Sequence, residues 1–561
     1  MDTRRFTHKL LAFITAMTMM LSCSQQYRPD EAEFSVLYTT QMYGNLLAWS
    51  MQHDTINPVS LANFSSLVKE QRELYGDHCI VLDNGNLLTR RPINFVSLCI
   101  DTVSEPIAYQ VQRFIGYDAV AVGNSDLRVA ELFYARHHDT ISTPPVICAN
   151  LYNDVTGQHF FRPWICIERQ GIRFAIFSLV DEEGDSWIAR IAHPDASCKE
   201  MSASIISQYM EMRRQCNPDV IIGMVNSPRQ LHLMQQLPHL DYVIEQEYGP
   251  GIDNRSHAGM IRFTLTKDDE TNTYTKQIRT TVIDLSQYEI DPAFDEHFAP
   301  AVSEMRKFYY EQFGYLHDTI RASEGLYTPY DNYRDILNQA QLWYSGADVS
   351  LTNIANYDCQ LMPGPMDLRK IIDIFNHENV MVQFIVRGYE LKRLLESYSA
   401  LQFATMKSAD DPLLALRLDK KGHQMWNVSG QPYLKGIPAL YTTTTGVHYT
   451  MDLRRQPGDR ISIGRFSNGR SFHPDSLYTV VTSSFLASRL HELEFLDWSP
   501  TDIRRHRVED DCPNIQYVLY KYFKEYPGAY TPDTTRYVSI EPVSWWRNAM
   551  QREQQSLHPT W

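Results

Sequence analysis

No Cys-x-x-Cys pair occurs among the nine cysteines, which excludes a zinc ribbon and a thioredoxin-like redox motif. Beyond residue 21 no apolar run approaches the roughly 20 residues that a membrane-spanning helix needs. Internal repeats and low-complexity tracts are also missing, so neither a solenoid nor a linker-type chain is indicated. Positive charge is scarce: 52 Lys and Arg stand against 67 Asp and Glu, a formal net charge of −15. Such a surface repels a phosphate backbone, and no nucleic-acid polymer is expected as a partner. One small phosphorylated ligand in a local pocket is still compatible with it.

The hydrophobic fraction of 43% is ample for real cores. The length implies two or more domains of ordinary size. Cys79, Cys99, Cys148 and Cys166 lie in apolar, strand-like text and read as buried free thiols. An oxidising compartment would permit disulfides instead. At the N-terminus, Arg4, Arg5, His8 and Lys9 precede an apolar run over residues 10–21 that ends in Leu21-Ser22-Cys23. A basic lead and a short apolar stretch form a signal peptide. Its end resembles the bacterial lipobox, which implies cleavage before Cys23 and acylation of its sulfur. More than one acyl chain suffices for stable anchoring. The expected organisation begins with a signal peptide over 1–22 and a polar tether over 23–33. The expected location is a bacterial membrane, lipid-anchored, facing the periplasm or the cell surface.

Short β-rich runs at 35–40, 79–83, 119–123, 146–150, 174–179, 220–225 and 242–245 alternate with helical stretches at 60–74, 104–115 and 202–215. Strand and helix repeated in this way imply an α/β layered domain. Near-continuous apolar strands imply sheets covered on both faces. Residues 261–266 and 276–285 read as a closing hairpin, which ends a first domain over 34–288. A connecting helix follows within 289–329. A second, α+β domain over 330–500 holds helices at 331–343, 367–375 and 388–398. Its strands are expected at 348–352, 381–386, 440–452, 460–464 and 478–484. The remainder, 501–561, reads as an extension with an amphipathic helix at 515–524 and a Trp-rich end.

In open α/β sheets, chemistry collects where strands end. The tips here read Thr39-Thr40-Gln41-Met42-Tyr43-Gly44, Asp83-Asn84-Gly85-Asn86, Gly123-Asn124-Ser125-Asp126, Val225-Asn226-Ser227 and Glu245-Gln246-Glu247-Tyr248. Every tip is polar, and none carries a His. Their order and spacing resemble the 5′-nucleotidase family, over residues 34–490. The resemblance implies a metallophosphoesterase-like β-sandwich flanked by helices, coupled to a 5′-nucleotidase C-terminal-like domain. It also places Gln41, Tyr43, Asn86, Asn124, Asn226 and Glu247 at the family's metal positions. Asn86 stands where the family has the Asp that bridges two metals, and Asn124 is the ligand retained. Two dications about 3.5–4 Å apart need a bridging anion to offset their repulsion. Neutral amides and a phenol with a reference pKa of about 10 are poor substitutes. No family-type di-metal centre and no cofactor are therefore expected.

A hard-cation alternative exists. Asp83, Asp126, Glu245 and Glu247 lie near the same rim, and oxygen ligands alone suffice for Ca²⁺ or Mg²⁺. In the second domain the resemblance places Asn353, Asp358 and Asn379 at nucleotide-binding positions. Asp358 stands where the family has an Arg, and an acid repels an anionic ligand. Framework motifs persist in Gly388-Tyr389-Glu390-Leu391 and in Thr445-Gly446-Val447, whereas Tyr441 and Phe485 read as core aromatics. The favoured function is a non-catalytic, lipid-anchored member of this family that binds a ligand or a protein. The alternatives are a phosphohydrolase with a rebuilt divalent-metal site, and a partner subunit of an active homologue.

Overall fold

Alternation along the chain decides how the first sheet faces its neighbours. In Glu31–Thr39 (β1), Phe34, Val36 and Tyr38 join one apolar cluster and Leu37 joins another. Both faces of this strand are therefore covered. The computed structural model describes residues 28–556 apart from 52, 89–91, 98–104, 130–143, 182–194, 200, 378, 428–431, 497, 500–501, 503–512, 526–529 and 534. Cys23, Cys99 and most of the leader and tether fall outside the described residues.

Helix Leu61–Tyr75 (α1) starts at Ser60, whose side chain accepts the Ala62 N–H while the Asn63 side chain accepts the Ser60 N–H. That reciprocal pair satisfies two otherwise orphaned donors. Strand Cys79–Asp83 (β2), helix Ile107–Ile115 (α2), strand Ala119–Ala121 (β3) and strand Val146–Ile147 (β4) follow. Next come Trp164–Arg169 (β5), Ile172–Ser178 (β6), helix Met201–Cys216 (α3), Val220–Met224 (β7), helix Pro228–Met234 (α4) and Tyr242–Ile244 (β8). The hairpin His257–Asp268 (β9) and Thr273–Asp284 (β10) completes the unit. One sheet has the order β10-β9-β1-β2-β3-β4 and the other β8-β7-β6-β5. Strands β1 to β4 run parallel, as do β6, β7 and β8. Their C-terminal ends therefore deliver the five polar tips.

The two sheets pack face to face through Phe34, Ile80 and Leu82 on one side and Phe174, Ile176 and Ile222 on the other. The Phe34 and Phe174 rings meet edge to face at 4.8 Å. Helices α1 and α2 cover the outer face of the first sheet, and α3 that of the second. The result is the expected sandwich between helical layers.

Strands β3 and β4 stop two and three residues earlier than expected. The side chain of Asn150 replaces ladder bonds, donating to Val180 O at 2.7 Å and accepting from Val180 N at 3.0 Å. Cys166 is not a free thiol. It lies on β5 and is disulfide-bonded to Cys216 at the end of α3, 50 residues away, with a Cα–Cα distance of 5.9 Å. A pairing at that separation leaves no local trace in the sequence. Cys79 and Cys148 are buried free thiols.

Helix Pro292–Tyr310 (α5) follows the hairpin and sets Phe294 and Phe298 against Phe114 at 5.4 and 5.6 Å. The second half holds helix Asn332–Ser345 (α6), strand Val349–Asn353 (β11), helix Leu368–Ile374 (α7), strand Met381–Arg387 (β12) and helix Gly388–Gln402 (α8). Strands Thr442–Thr445 (β13), Val447–Asp452 (β14), Ile461–Phe466 (β15) and Leu477–Ser483 (β16) follow. Its main sheet has the order β12-β16-β11-β13. The residues read as an extension are woven into this half. Helix Ile515–Glu525 (α9) contributes Ile515, Val518 and Leu519 to the core. Strand Val538–Glu541 (β17) pairs in parallel with β14, and Trp546 donates to Tyr327 O at 3.1 Å. Among the described residues, no helix is long and apolar enough to cross a membrane.

Candidate functional site

The five tips meet at one end of the sandwich, and a buried carboxylate sets their spacing. Asp126 accepts the backbone N–H groups of Asn86 at 2.7 Å, Leu88 at 2.9 Å and Gly123 at 2.9 Å. This draws the second and third tips into contact. A Cβ on Gly85, at φ +81°, would lie 2.3 Å from Gly123 N, so only glycine fits there. Gln41, Tyr43 and Asn86 all have left-handed backbones, at φ 54°, 46° and 62°. Side chains other than Asn rarely take that conformation, which costs about 1–2 kcal/mol per residue. The strain is held by two backbone bonds, from Gln41 N to Gly85 O at 3.1 Å and from Tyr43 N to Asn86 O at 2.9 Å. Strained backbone of this kind clusters at functional sites.

Asn86, fully buried, makes the central contacts. Its Oδ1 accepts from Ser125 N at 2.8 Å, and its Nδ2 donates to Asn226 Oδ1 at 2.8 Å. Asn226 donates in turn to Asn84 O at 3.3 Å, and its own N–H is bound by Gln230 Oε1 at 2.8 Å. Asn84 crosses between the sheets, donating to Val225 O at 3.0 Å and Glu245 O at 3.1 Å. Gln41 Oε1 accepts from Asn254 Nδ2 at 3.0 Å, and Asn124 Oδ1 accepts from Asp181 N at 2.9 Å. Tyr43 is half-buried, and Glu247 is exposed. Asn84 stands in the second tip without a role of its own in the sequence pattern, and Gln230 and Asn254 support the named amides from positions where a polar residue carries no pattern.

The carbonyl oxygens of Gln41, Asn86, Asn124 and Asn226 thus all accept protein hydrogen bonds. At Asn86, where the resemblance leads one to expect a bridging carboxylate, an amide N–H₂ meets a second amide. This donor set does not fit a two-metal centre, which requires anionic and imidazole ligands facing the ions. Nor do the carboxylates of the hard-cation alternative assemble. Asp126 holds backbone N–H groups, Asp83 accepts from Gly85 N at 3.1 Å and Gln112 Nε2 at 3.0 Å, and Glu245 and Glu247 are exposed. Among the described residues, no three His, Cys, Asp or Glu side chains gather as a metal site would need. Burial, followed by the nearby Asp126 charge, pushes the Asp83 carboxyl up to about 7. Burial pushes Asp126 up to about 6 against its backbone hydrogen bonds.

In the second half, the expected nucleotide positions have structural partners or face solvent. Asn353 Nδ2 donates to Ala439 O at 2.8 Å, and Asn379 Oδ1 accepts from Ser484 Oγ at 3.0 Å. Asp358 is exposed. Tyr441 is buried, with its hydroxyl on Gly436 O at 3.1 Å, and Phe485 is half-buried beneath Arg489.

Residues 319–496 match the family model of the 5′-nucleotidase C-terminal domain. Over that stretch the chain carries the family's C-terminal domain, and it resembles the 5′-nucleotidase family. Among similar proteins, the "Silent protein UshA(0)" of Salmonella typhimurium is 24% identical over 220 residues, 38% of this chain and 37% of that protein. A 5′-nucleotidase of Vibrio cholerae is 24% identical over 245 residues, 39% of this chain and 41% of that one. The matched stretch thus spans well under half the length of these relatives. A structure from Staphylococcus aureus, provisionally named a 5′-nucleotidase and solved with alpha-ketoglutarate, superposes with a TM-score of 0.59 at 14% identity. The superposition covers 91% of this chain and 100% of that one, so the two share a fold through both halves.

Asn86→Ala removes a buried amide and leaves Ser125 N and Asn226 Oδ1 without partners. The expected loss is about 2–4 kcal/mol of stability, read from urea unfolding. The Asn86→Ala, Asn226→Ala cycle should show a coupling of about 1 kcal/mol, and strict additivity would refute the contact. Asp83 and Asp126 hold protons in the folded state that they release when unfolded. Their contribution therefore favours folding least above pH 7, and stability from them falls as pH rises from about 4 to about 7. Asp83→Asn should flatten that fall relative to the parent, measured as urea midpoints at pH 4.5 and 7.5.

Proposed function

We propose that this chain is an exported, lipid-anchored member of the 5′-nucleotidase family that binds rather than hydrolyses. The observation that carries the reading is the hydrogen bond from Asn86 Nδ2 to Asn226 Oδ1 at 2.8 Å. It lies at the position from which the family resemblance expects a metal-bridging carboxylate. A neutral amide there supplies no charge to hold two dications together. The same resemblance puts Asp358 in place of an anion-binding Arg, so nucleotide recognition of the family type is weakened as well. The retained frame serves a different use: a rigid surface at the sandwich end that offers hydrogen-bonding groups to a small phosphorylated ligand or to a related protein chain. Export is supported by the leader and by the Cys166–Cys216 disulfide, a bond that persists in oxidising compartments.

Metal analysis of the purified protein after exposure to Mn²⁺, Zn²⁺ and Mg²⁺ tests the first part. The expected result is no stoichiometric metal and no turnover of nucleoside monophosphates or of a generic phosphate ester. Stoichiometric metal with hydrolysis that disappears in Asn124→Ala would show the chain to be a phosphohydrolase. For the anchor, the full chain made in a bacterial host should partition into the detergent phase and carry acyl mass on Cys23. Recovery of Cys23→Ala in the same phase at the same level would refute lipidation.

A further inference from the structure

Helix α8 presents Tyr389, Lys392, Arg393 and Glu396 on one face, three and four residues apart. That face borders a cavity of about 530 Å³ whose other walls include Phe472 and Phe495. The volume lies within the roughly 300–1,000 Å³ of small-molecule sites. None of the five tips of the first domain lines it, nor do Asn353, Asp358 or Asn379.

The charges in this cavity are unevenly balanced. Glu396 is buried, and its two oxygens accept Gly458 N at 2.8 Å and Ile461 N at 2.7 Å, so it closes a loop and is not offered to a ligand. Glu494 is largely exposed and faces Lys435 at 3.4 Å. Lys392 and Arg393 make no ion pair among the described residues, and Arg393 lies over the Tyr389 ring at 5.5 Å. Two uncompensated cations on one cavity stand out in a chain of net charge −15. The aromatic walls are held in place. Phe472 stacks on Tyr478 with an interplanar angle of 14°. Phe495 packs over Gly458, where a Cβ would come within 3.3 Å of its ring.

We propose that this cavity binds a small anionic ligand bearing a flat ring. Lys392 and Arg393 take its phosphate or carboxylate, and Phe472 and Phe495 take the ring. Cations provide charge-assisted hydrogen bonds to such an anion, and aromatic faces accept any planar ring. The site is independent of whether the first-domain cleft turns over phosphate esters.

Titration of the full chain in EDTA with 1-naphthyl phosphate and 1-naphthoate, followed by naphthyl fluorescence, tests the proposal. Inorganic phosphate and 1-naphthol serve as the separated halves. At least one naphthyl anion should bind saturably, and more tightly than either half. Which of the two binds better distinguishes a phosphate ligand from a carboxylate. The double variant Lys392→Ala, Arg393→Ala should weaken binding about tenfold or more. Phe472→Ala should weaken it roughly fivefold or more. The distant Asp358→Ala should leave it unchanged, with circular dichroism confirming the fold of each variant. Absence of saturable binding of both anions, equal binding of 1-naphthol, or unchanged affinity in the double variant would each overturn the proposal.

Discussion

The amide of Asn86 joins three of the five polar tips through two hydrogen bonds, and much of the upper end of the sandwich depends on it. Its carbonyl holds the third tip at Ser125 N, and its N–H₂ holds the fourth at Asn226. Those tips belong to different sheets, so a single buried side chain links the two layers at the end where their strands point. In a low-dielectric interior such a network is strong when every member is satisfied and costly when one is missing. Asn86 adopts a left-handed backbone to reach both partners, a conformation that asparagine tolerates better than most residues.

Beneath this amide lie two buried carboxylates, Asp83 and Asp126, with no cation beside them among the described residues. Asp126 is stabilised by backbone N–H groups that include those of Asn86, Leu88 and Gly123, and Asp83 by Gly85 N and the Gln112 and Thr39 side chains. A metal-bound site would supply positive charge to such acids. Here only neutral donors face them, and burial outweighs those hydrogen bonds, so the carboxyl groups are reluctant to ionise. Asp126 is thus best understood as a clamp on loop geometry. Its charge is oriented inward to the backbone, away from any ligand.

The second half has a counterpart to this clamp. Arg334, fully buried, pairs with Asp331 at 2.5 Å and donates to Tyr441 O, Gly325 O and Thr328 O. Removing one partner of such a buried pair leaves an uncompensated charge, which is strongly unfavourable. The arrangement fastens α6 to the strand region and to the segment entering the domain. The chain end is fastened there too: Glu553 accepts Leu413 N at 2.5 Å, and β17 extends the sheet that contains β14.

The sequence by itself determined the layered α/β fold and the position of the tips. Apolar periodicity and polar strand ends are local properties, and they place β1, β2, β7 and the α1 helix to within a few residues. The absence of His at the tips and the neutral residues at Gln41, Asn86 and Asn226 were equally legible, because side-chain identity sets ligand chemistry. Tertiary structure alone decided what those neutral residues do. The Asn86–Asn226 bond joins residues 140 positions apart, and the Cys166–Cys216 bond joins positions 50 apart. No local pattern encodes contacts at such separations. The same holds for the residues after 501, whose short β17 strand reads as loose tail until β14 is beside it, and for the cavity on α8. Its cations and aromatics come from segments about 80–100 residues apart, and only packing brings them to a common wall.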